Sequence, residues 1–253
     1  MHPEALRIGW FTISSYGVAM AVAFLTTVWL ASKAADGPLR GVVPMSGVAV
    51  SDWACWGIVG GILGGRAFYV AANWDGYGQS PWEIIAVWHG GLIWYGGFIG
   101  GVVATALFMR RHNFPFLRGV DQVIPFVALG HAIGRIGCFL NGCCYGKPTS
   151  SWCGVRFPGQ PVPVVPTQLF EAAGLAALYW WLRRLQTPER LRRPGTVFGA
   201  YLVAYGLLRA VIEFWRDQQP IGWFGLTWQQ WISAGIAAVG VVLLARSRRL
   251  LHA

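Results

Sequence analysis

Three arginines sit where a water-soluble chain would not put them. Arg135 lies in GRIGCFLNGCCYG (134–146), just after the apolar run 120–129; Arg66 lies in GGILGGRAFY and Arg209 in YGLLRAVIEF. A charge at bilayer depth costs at least ~2.5–3.5 kcal/mol on insertion scales, and such residues face a bundle interior or an aqueous cavity. One such residue can be structural. Three point to an anionic ligand, and within a membrane the commonest anion is a lipid phosphate.

The residues that would hold these arginines are also spaced for it. In PTQLFEA (166–172), Gln168 and Glu171 are three apart and share a helical face. Glu171 reads as a carboxylate orienting Arg135 or Arg209. Tyr205, Arg209 and Glu213 follow one another at intervals of four on a second face. Glu213 either steadies Arg209 for a phosphate or forms a self-contained pair with it. His89 and Tyr95 stand among the paired glycines of WHGGLIWYGGFIGG (88–101), where a helix can break to line a cavity or pack closely on a neighbour. His89 alone reads first as a hydrogen-bonded packing residue.

Five cysteines, Cys55, Cys138, Cys143, Cys144 and Cys153, contain no CxxC pair and have few histidines near them, so no metal site is expected. A disulfide between Cys153 and either Cys143 or Cys144 suits an oxidising exterior better.

The elements that must carry these residues are membrane helices. Of the 253 residues 55% are hydrophobic and only 12% charged, with a mean hydropathy of +0.47, and the 15 Trp suit interfacial belts. The expected fold is all-α: one polytopic bundle forming a single domain over 1–253. Seven apolar stretches are long enough to span, at 11–32, 48–71, 84–109, 120–140, 164–182, 197–214 and 227–245. The first follows a short polar start with no small-residue cleavage site, so it is expected to be retained. Small-xxx-small spacing at Gly57/Gly61/Gly65 and Gly97/Gly101 predicts a close contact of the second and third helices.

The net charge of +10 has a topological meaning. Four basic residues fall in the N-terminus and the second, fourth and sixth loops; thirteen fall in the other loops and the C-terminus. The positive-inside rule then places the N-terminus outside and the C-terminus in the cytoplasm. In that orientation Arg66, Arg135, Arg209, His89, Tyr95, Tyr16, Gln168 and Glu171 all fall in the outer half of the membrane. No basic soluble face accompanies the charge, which removes nucleic acid as a partner.

These motifs together resemble one family. SYG (15–17), GGR (64–66), GGLxxxGG (90–97), GRxGxFxNGxxxG (134–146), PTQLFE (166–171) and YGxxRxxxEFxR (205–216) are similar, in the same order and over nearly the whole chain, to those of bacterial prolipoprotein diacylglyceryl transferases. The resemblance implies a seven-helix inner-membrane enzyme with an outward active site and no metal or soluble cofactor. The implied reaction moves the diacylglyceryl group of phosphatidylglycerol to the lipobox cysteine of a preprolipoprotein, leaving a thioether and glycerol phosphate. It implies catalytic roles for Arg135, Arg209, Tyr16, Tyr205 and Tyr95. Around them, Arg66, His89, Cys138, Asn141, Gly146, Gln168, Glu171, Glu213 and Arg216 are the candidates for binding substrate or organising the site.

The chemistry agrees with the residue types. Thiolate attack on a glycerol carbon expels a phosphate monoester; arginine forks match its oxygens and stabilise charge as it develops. Three positions depart from the family. Tyr95 replaces a histidine proposed as the base, Cys138 stands where an asparagine is common, and Val165 precedes PTQ where an aromatic or histidine is usual. A tyrosine, with a pKa of about 10, serves as a base only when cations depress it. A family member with another acceptor, and a non-catalytic protein that binds or carries anionic lipid, are the alternatives.

Overall fold

The computed structural model describes residues 4–8, 11–77, 81–216 and 222–249, with backbone alone for 4–8, 11–13, 89 and 223. A short antiparallel ribbon, β1 (Glu4–Ile8) and β2 (Phe11–Ser14), precedes the helices. It is an addition to the all-α expectation. The first helix therefore begins at Ser15 and not at 11, and the Ser14 hydroxyl accepts from Gly17 N at 3.0 Å to cap its first turn.

Among the described residues, seven long helices then occupy the seven apolar stretches: α1 (Ser15–Asp36), α2 (Gly47–Ala72), α3 (Trp94–Arg111), α4 (Phe116–Asn141), α5 (Thr167–Leu185), α7 (Thr196–Glu213) and α8 (Trp228–Arg249), with the single-turn α6 (Pro188–Leu191) before α7. Of these, α1, α2, α4, α7 and α8 are long and apolar enough to cross a bilayer. The shortfall in α3 and α5 has visible causes: α3 ends in Arg110 and Arg111, and α5 carries Glu171, Arg183 and Arg184. Burial is inverted relative to a soluble protein. Arg66, Asp121, Gln122, Gln168, Glu171, Arg209 and Glu213 are buried, whereas Leu25, Leu63, Leu207 and Val242 are exposed. Lipid-facing apolar side chains around a polar interior define a helical membrane bundle.

The chain forms two compact units, Ser32–Gly119 and the remainder. Within Ser32–Gly119, α2 packs on α3 through glycines. A Cβ on Gly64 would lie 2.3 Å from Gly96 O, and one on Gly100 would lie 2.3 Å from Gly60 O. The expected row packs in the same seam, a Cβ on Gly97 falling 3.3 Å from Gly61 O and one on Gly101 3.4 Å from Gly57 O, while the neighbouring row Gly60/Gly64 on Gly96/Gly100 makes the closest approach. The expected third span also starts ten residues late. Residues 81–93 are 3₁₀ turns and extended chain, with Gly90 and Gly91 at φ 84° and 79°, a conformation open to glycine.

In the other unit α4 is the centre. Thr27 Oγ1 of α1 donates to Phe126 O at 3.2 Å, and Gly130 leaves room for that threonine. Pro125 interrupts α4 and has no N–H for the Asp121 carbonyl. Gln186, just past α5, donates Nε2 to both Asp121 O and Gln122 O at 2.9 Å. The Asp121 carboxylate accepts from Gly195 N (2.6 Å) and Phe198 N (2.7 Å), closing the N-terminus of α7.

Candidate active site

Helix α5 opens at Thr167, and its first turn is tied to the turn that follows α4. Thr167 Oγ1 donates to Cys144 O at 2.9 Å and Gln168 Nε2 to Cys143 O at 2.6 Å. With that end fixed, Glu171, one turn further, points into the bundle with 2% of its side chain exposed. There it meets two groups from α4: Arg135 Nη2 at 2.9 Å and His131 Nε2 at 3.9 Å. His131 and Arg135 are four apart, so one face of α4 delivers both to the same carboxylate.

Helix α7 supplies the other wall. Tyr201, Tyr205, Arg209 and Glu213 form one stripe at intervals of four. Arg209 Nη1 lies 2.7 Å from Glu213 Oε2, both side chains being almost wholly enclosed, and Thr227 Oγ1 donates to Glu213 Oε1 at 3.4 Å. The Tyr201 and Tyr205 rings stack at 5.6 Å, and Tyr205 meets the His131 ring at 5.4 Å. The Tyr205 hydroxyl lies beside the Arg135 guanidinium and in the fields of Glu171 and Arg209. Tyr205 therefore sits where the α4, α5 and α7 groups converge.

Among the described residues, Arg135 pairs with Glu171 and Arg209 with Glu213, and the half-buried Arg216 acts on the Cys144 thiol. Arg135 Nε and Arg216 Nε are buried without a hydrogen bond among those residues. Two ion pairs plus spare guanidinium donors suit an anion with several oxygens.

The remaining motif residues of this unit border that cluster. Tyr16, at the start of α1, is 40% exposed and senses Arg135 and the sulfurs of Cys138, Cys143 and Cys144. Asn141 is exposed at the end of α4. Gly146 is buried, its N–H donating to Val165 O at 2.8 Å; a Cβ there would stand 2.3 Å from Trp215 O, so the position admits only glycine. All five cysteines are free thiols, which corrects the expected disulfide: Cys153 contacts Ser151 Oγ at 3.3 Å, and the Cys143 and Cys144 sulfurs turn towards Cys138. A hydrogen bond from Cys138, then one from Cys143 and the fields of Arg216 and Arg135, hold the Cys144 thiol down at about 5 against the cost of burial.

The unit Ser32–Gly119 holds the other candidates. Arg66 is buried and directs its guanidinium at backbone carbonyls: Nε to Ile84 O at 2.9 Å, Nη1 to Gly90 O at 2.6 Å and Gly91 O at 3.1 Å, and Nη2 to Glu83 O. It satisfies the irregular stretch that leads into α3. Tyr95, in the first turn of α3, is 69% exposed and meets Trp94 edge-on at 5.3 Å. His89 closes a 3₁₀ turn, and its side chain lies outside the described residues.

Sequence reasoning passed over His131 and Tyr201. The signal was present in both cases: His131 precedes Arg135 by four and Tyr201 precedes Tyr205 by four, extending stripes already recognised.

Paired charges and stacked tyrosines enclosed by lipid-facing helices define an integral membrane protein with a polar site inside its bundle. The family model described as prolipoprotein diacylglyceryl transferase matches residues 3–246. Three relatives are named phosphatidylglycerol–prolipoprotein diacylglyceryl transferase. That of Nitratidesulfovibrio vulgaris is 35% identical over 97% of this chain and 94% of its own length. Those of Methylibium petroleiphilum and Clostridium tetani are 36% and 32% identical, each over 95% of this chain, and over 94% and 96% of their own lengths. The chain belongs to the prolipoprotein diacylglyceryl transferase family and is a diacylglyceryl transferase.

Proposed function

We propose that this enzyme transfers the sn-1,2-diacylglyceryl group of phosphatidylglycerol to the lipobox cysteine of preprolipoproteins, the first step of lipoprotein maturation. The observation that carries the reading is the arrangement of Arg135 on Glu171 and Arg209 on Glu213 around Tyr205, with buried guanidinium donors left over at Arg135 and Arg216. The acceptor thiolate attacks the glycerol carbon bearing the phosphate. The new C–S bond forms as the C–O bond breaks, and the electron pair leaves on a phosphate oxygen of glycerol phosphate. Arg135 and Arg209 hold that phosphate and meet the charge it gains. The Tyr205 and Tyr16 hydroxyls line its surroundings, with Gln168, Asn141, Gly146, Cys138 and Arg216 forming the turn and helix ends that enclose them.

The thiol proton needs an acceptor, because a free cysteine is only slightly ionised near neutrality. His131 is suited to that role by position: its Nε2 lies 3.9 Å from the Glu171 carboxylate, which would stabilise the imidazolium. Tyr95 stands where the family carries a histidine and acts on the acceptor through its hydroxyl, with His89 a further acceptor-binding candidate and Arg66 holding the backbone that leads into α3. The seven long helices serve as seven spans of a bacterial inner membrane, N-terminus outside, with the arginine site towards the outer face. That orientation rests on the excess of Lys and Arg in the odd loops and C-terminus.

The test uses purified protein, phosphatidylglycerol vesicles and a lipobox peptide, read by mass spectrometry. A diacylglyceryl mass shift that vanishes with a Cys→Ser peptide is expected. Lipid binding without any shift would sink the transferase reading and favour a carrier. His131→Gln should lower the rate about 10²-fold with peptide binding retained, and Tyr95→Phe less than 10-fold. The reverse order would make Tyr95 the base.

A further inference from the structure

The end of α4 and the turn after it bring together three sulfurs to which the proposed transfer assigns no chemical step. The Sγ atoms of Cys138, Cys143 and Cys144 all lie within 4.8 Å of one another. Their backbone is held from several sides. Cys143 N donates to Cys138 O at 3.1 Å, and the carbonyls of Cys143 and Cys144 are fixed by Gln168 and Thr167, both about 1% exposed. Gly142 at φ 74° and Cys144 at φ 63° reverse the chain, and the left-handed conformation at Cys144 is sparsely populated for a residue with a Cβ. Cys143 Sγ also donates to Cys138 O at 3.6 Å, which keeps that sulfur over the end of α4.

We infer that Cys138, Cys143 and Cys144 form a binding site for one soft, thiophilic metal cation of the Zn(II), Cd(II) or Cu(I) kind. A metal–sulfur bond of about 2.3 Å sets the sulfurs of a three-thiolate site roughly 3.8–4.0 Å apart, so small rotations of the three side chains complete the geometry. The donor set contains sulfur alone, which selects soft ions and excludes magnesium and calcium. The surroundings supply matching charge: three thiolates around a dipositive ion carry a net negative charge, and Arg135 and Arg216 both act on these sulfurs. The occupant would staple the last turn of α4 to the turn at 142–146, one helical turn from Arg135. This inference rests on the sulfur geometry and not on the proposed reaction, although the two share Cys138, Arg135 and Arg216.

The test titrates Cd(II) into reduced, metal-free protein in detergent. The expected result is a thiolate-to-cadmium charge-transfer absorbance that saturates at one equivalent with the intensity of three thiolates. Cys138→Ser, Cys143→Ser and Cys144→Ser should each weaken binding at least ten-fold, and Cys55→Ser and Cys153→Ser should leave it unchanged. Melting curves of the metal-free variants separate a lost ligand from a lost fold. A second readout needs no variant: with Cd(II) bound, iodoacetamide should modify only Cys55 and Cys153, and without it all five. Equal alkylation with and without metal, or a charge-transfer band that survives the triple variant, would overturn the site. So would a disulfide among the three in membranes trapped with alkylator and no reductant, which would make the cluster a redox pair.

Discussion

At the level of single residues, Glu171 decides the geometry of the site. Among the described residues it is the one carboxylate within reach of both Arg135 and His131, and it is almost wholly enclosed. Removing one partner of a buried pair leaves the other charge uncompensated, at a cost of about 3–5 kcal/mol. Glu171→Gln is therefore expected to lower the melting temperature in detergent by several degrees as well as to impair transfer. An unchanged melting curve would show that Arg135 does not depend on this carboxylate. Arg135→Ala should lower kcat/KM by 10²–10³-fold, about 2.7–4 kcal/mol of transition-state stabilisation. Arg135→Lys should recover only part of it, because a point charge cannot reproduce the guanidinium fork that reaches Glu171 and Tyr205 together. Full activity in the lysine variant would reduce Arg135 to a source of charge.

At the level of elements, two devices hold helices whose sequences alone would leave them unsupported. The first is the glycine seam of α2 on α3, where backbone meets backbone. Gly64→Leu would drive a side chain into Gly96 O, and overpacking of this kind costs about 1–3 kcal/mol or more. The expected outcome is a lowered yield and melting temperature, whereas Gly235→Leu on α8, with nothing near its Cβ position, should be tolerated. Equal tolerance at both positions would mean that the seam does not bear the packing. The second device is Gln186, which supplies the donor that Pro125 lacks and satisfies two carbonyls of α4. Gln186→Leu strands them, at about 1–3 kcal/mol, and should be seen as faster amide exchange around 121–125.

At the level of the whole molecule, the charge asymmetry makes a topological prediction. An alkaline phosphatase reporter, active only outside the cytoplasm, should be inactive when fused after residue 249 and active when placed in the 147–163 loop. Activity at the C-terminus would invert the proposed orientation and move the Arg135–Glu171 site to the cytoplasmic side. The polar interior and apolar exterior hold in either case, since they follow from which side chains are buried.

Hydropathy and charge are local properties of a chain, and what depends on them could be read in advance. The positions of seven long helices, the arginines that break their apolar runs, and the i, i+4 pairing of Arg209 with Glu213 all belong to single segments. The family motifs were legible for the same reason. The N-terminal ribbon and the late start of α3 were not, because apolar strands, broken helices and spans share one composition. Partnership between distant segments was decided only by the tertiary structure. Whether Glu171 would take Arg135 or Arg209 depended on how α5 lies against α4 and α7, and the pairing with Arg135 also brought in His131. That Gly60/Gly64 and Gly96/Gly100 make the closest approach, beside the expected row, depended on helix rotation, which one row of small residues does not determine. The cysteines show the same division. Their number was plain, but the backbone reversal at Gly142 and Cys144 turned three sulfurs towards one another and left Cys153 apart.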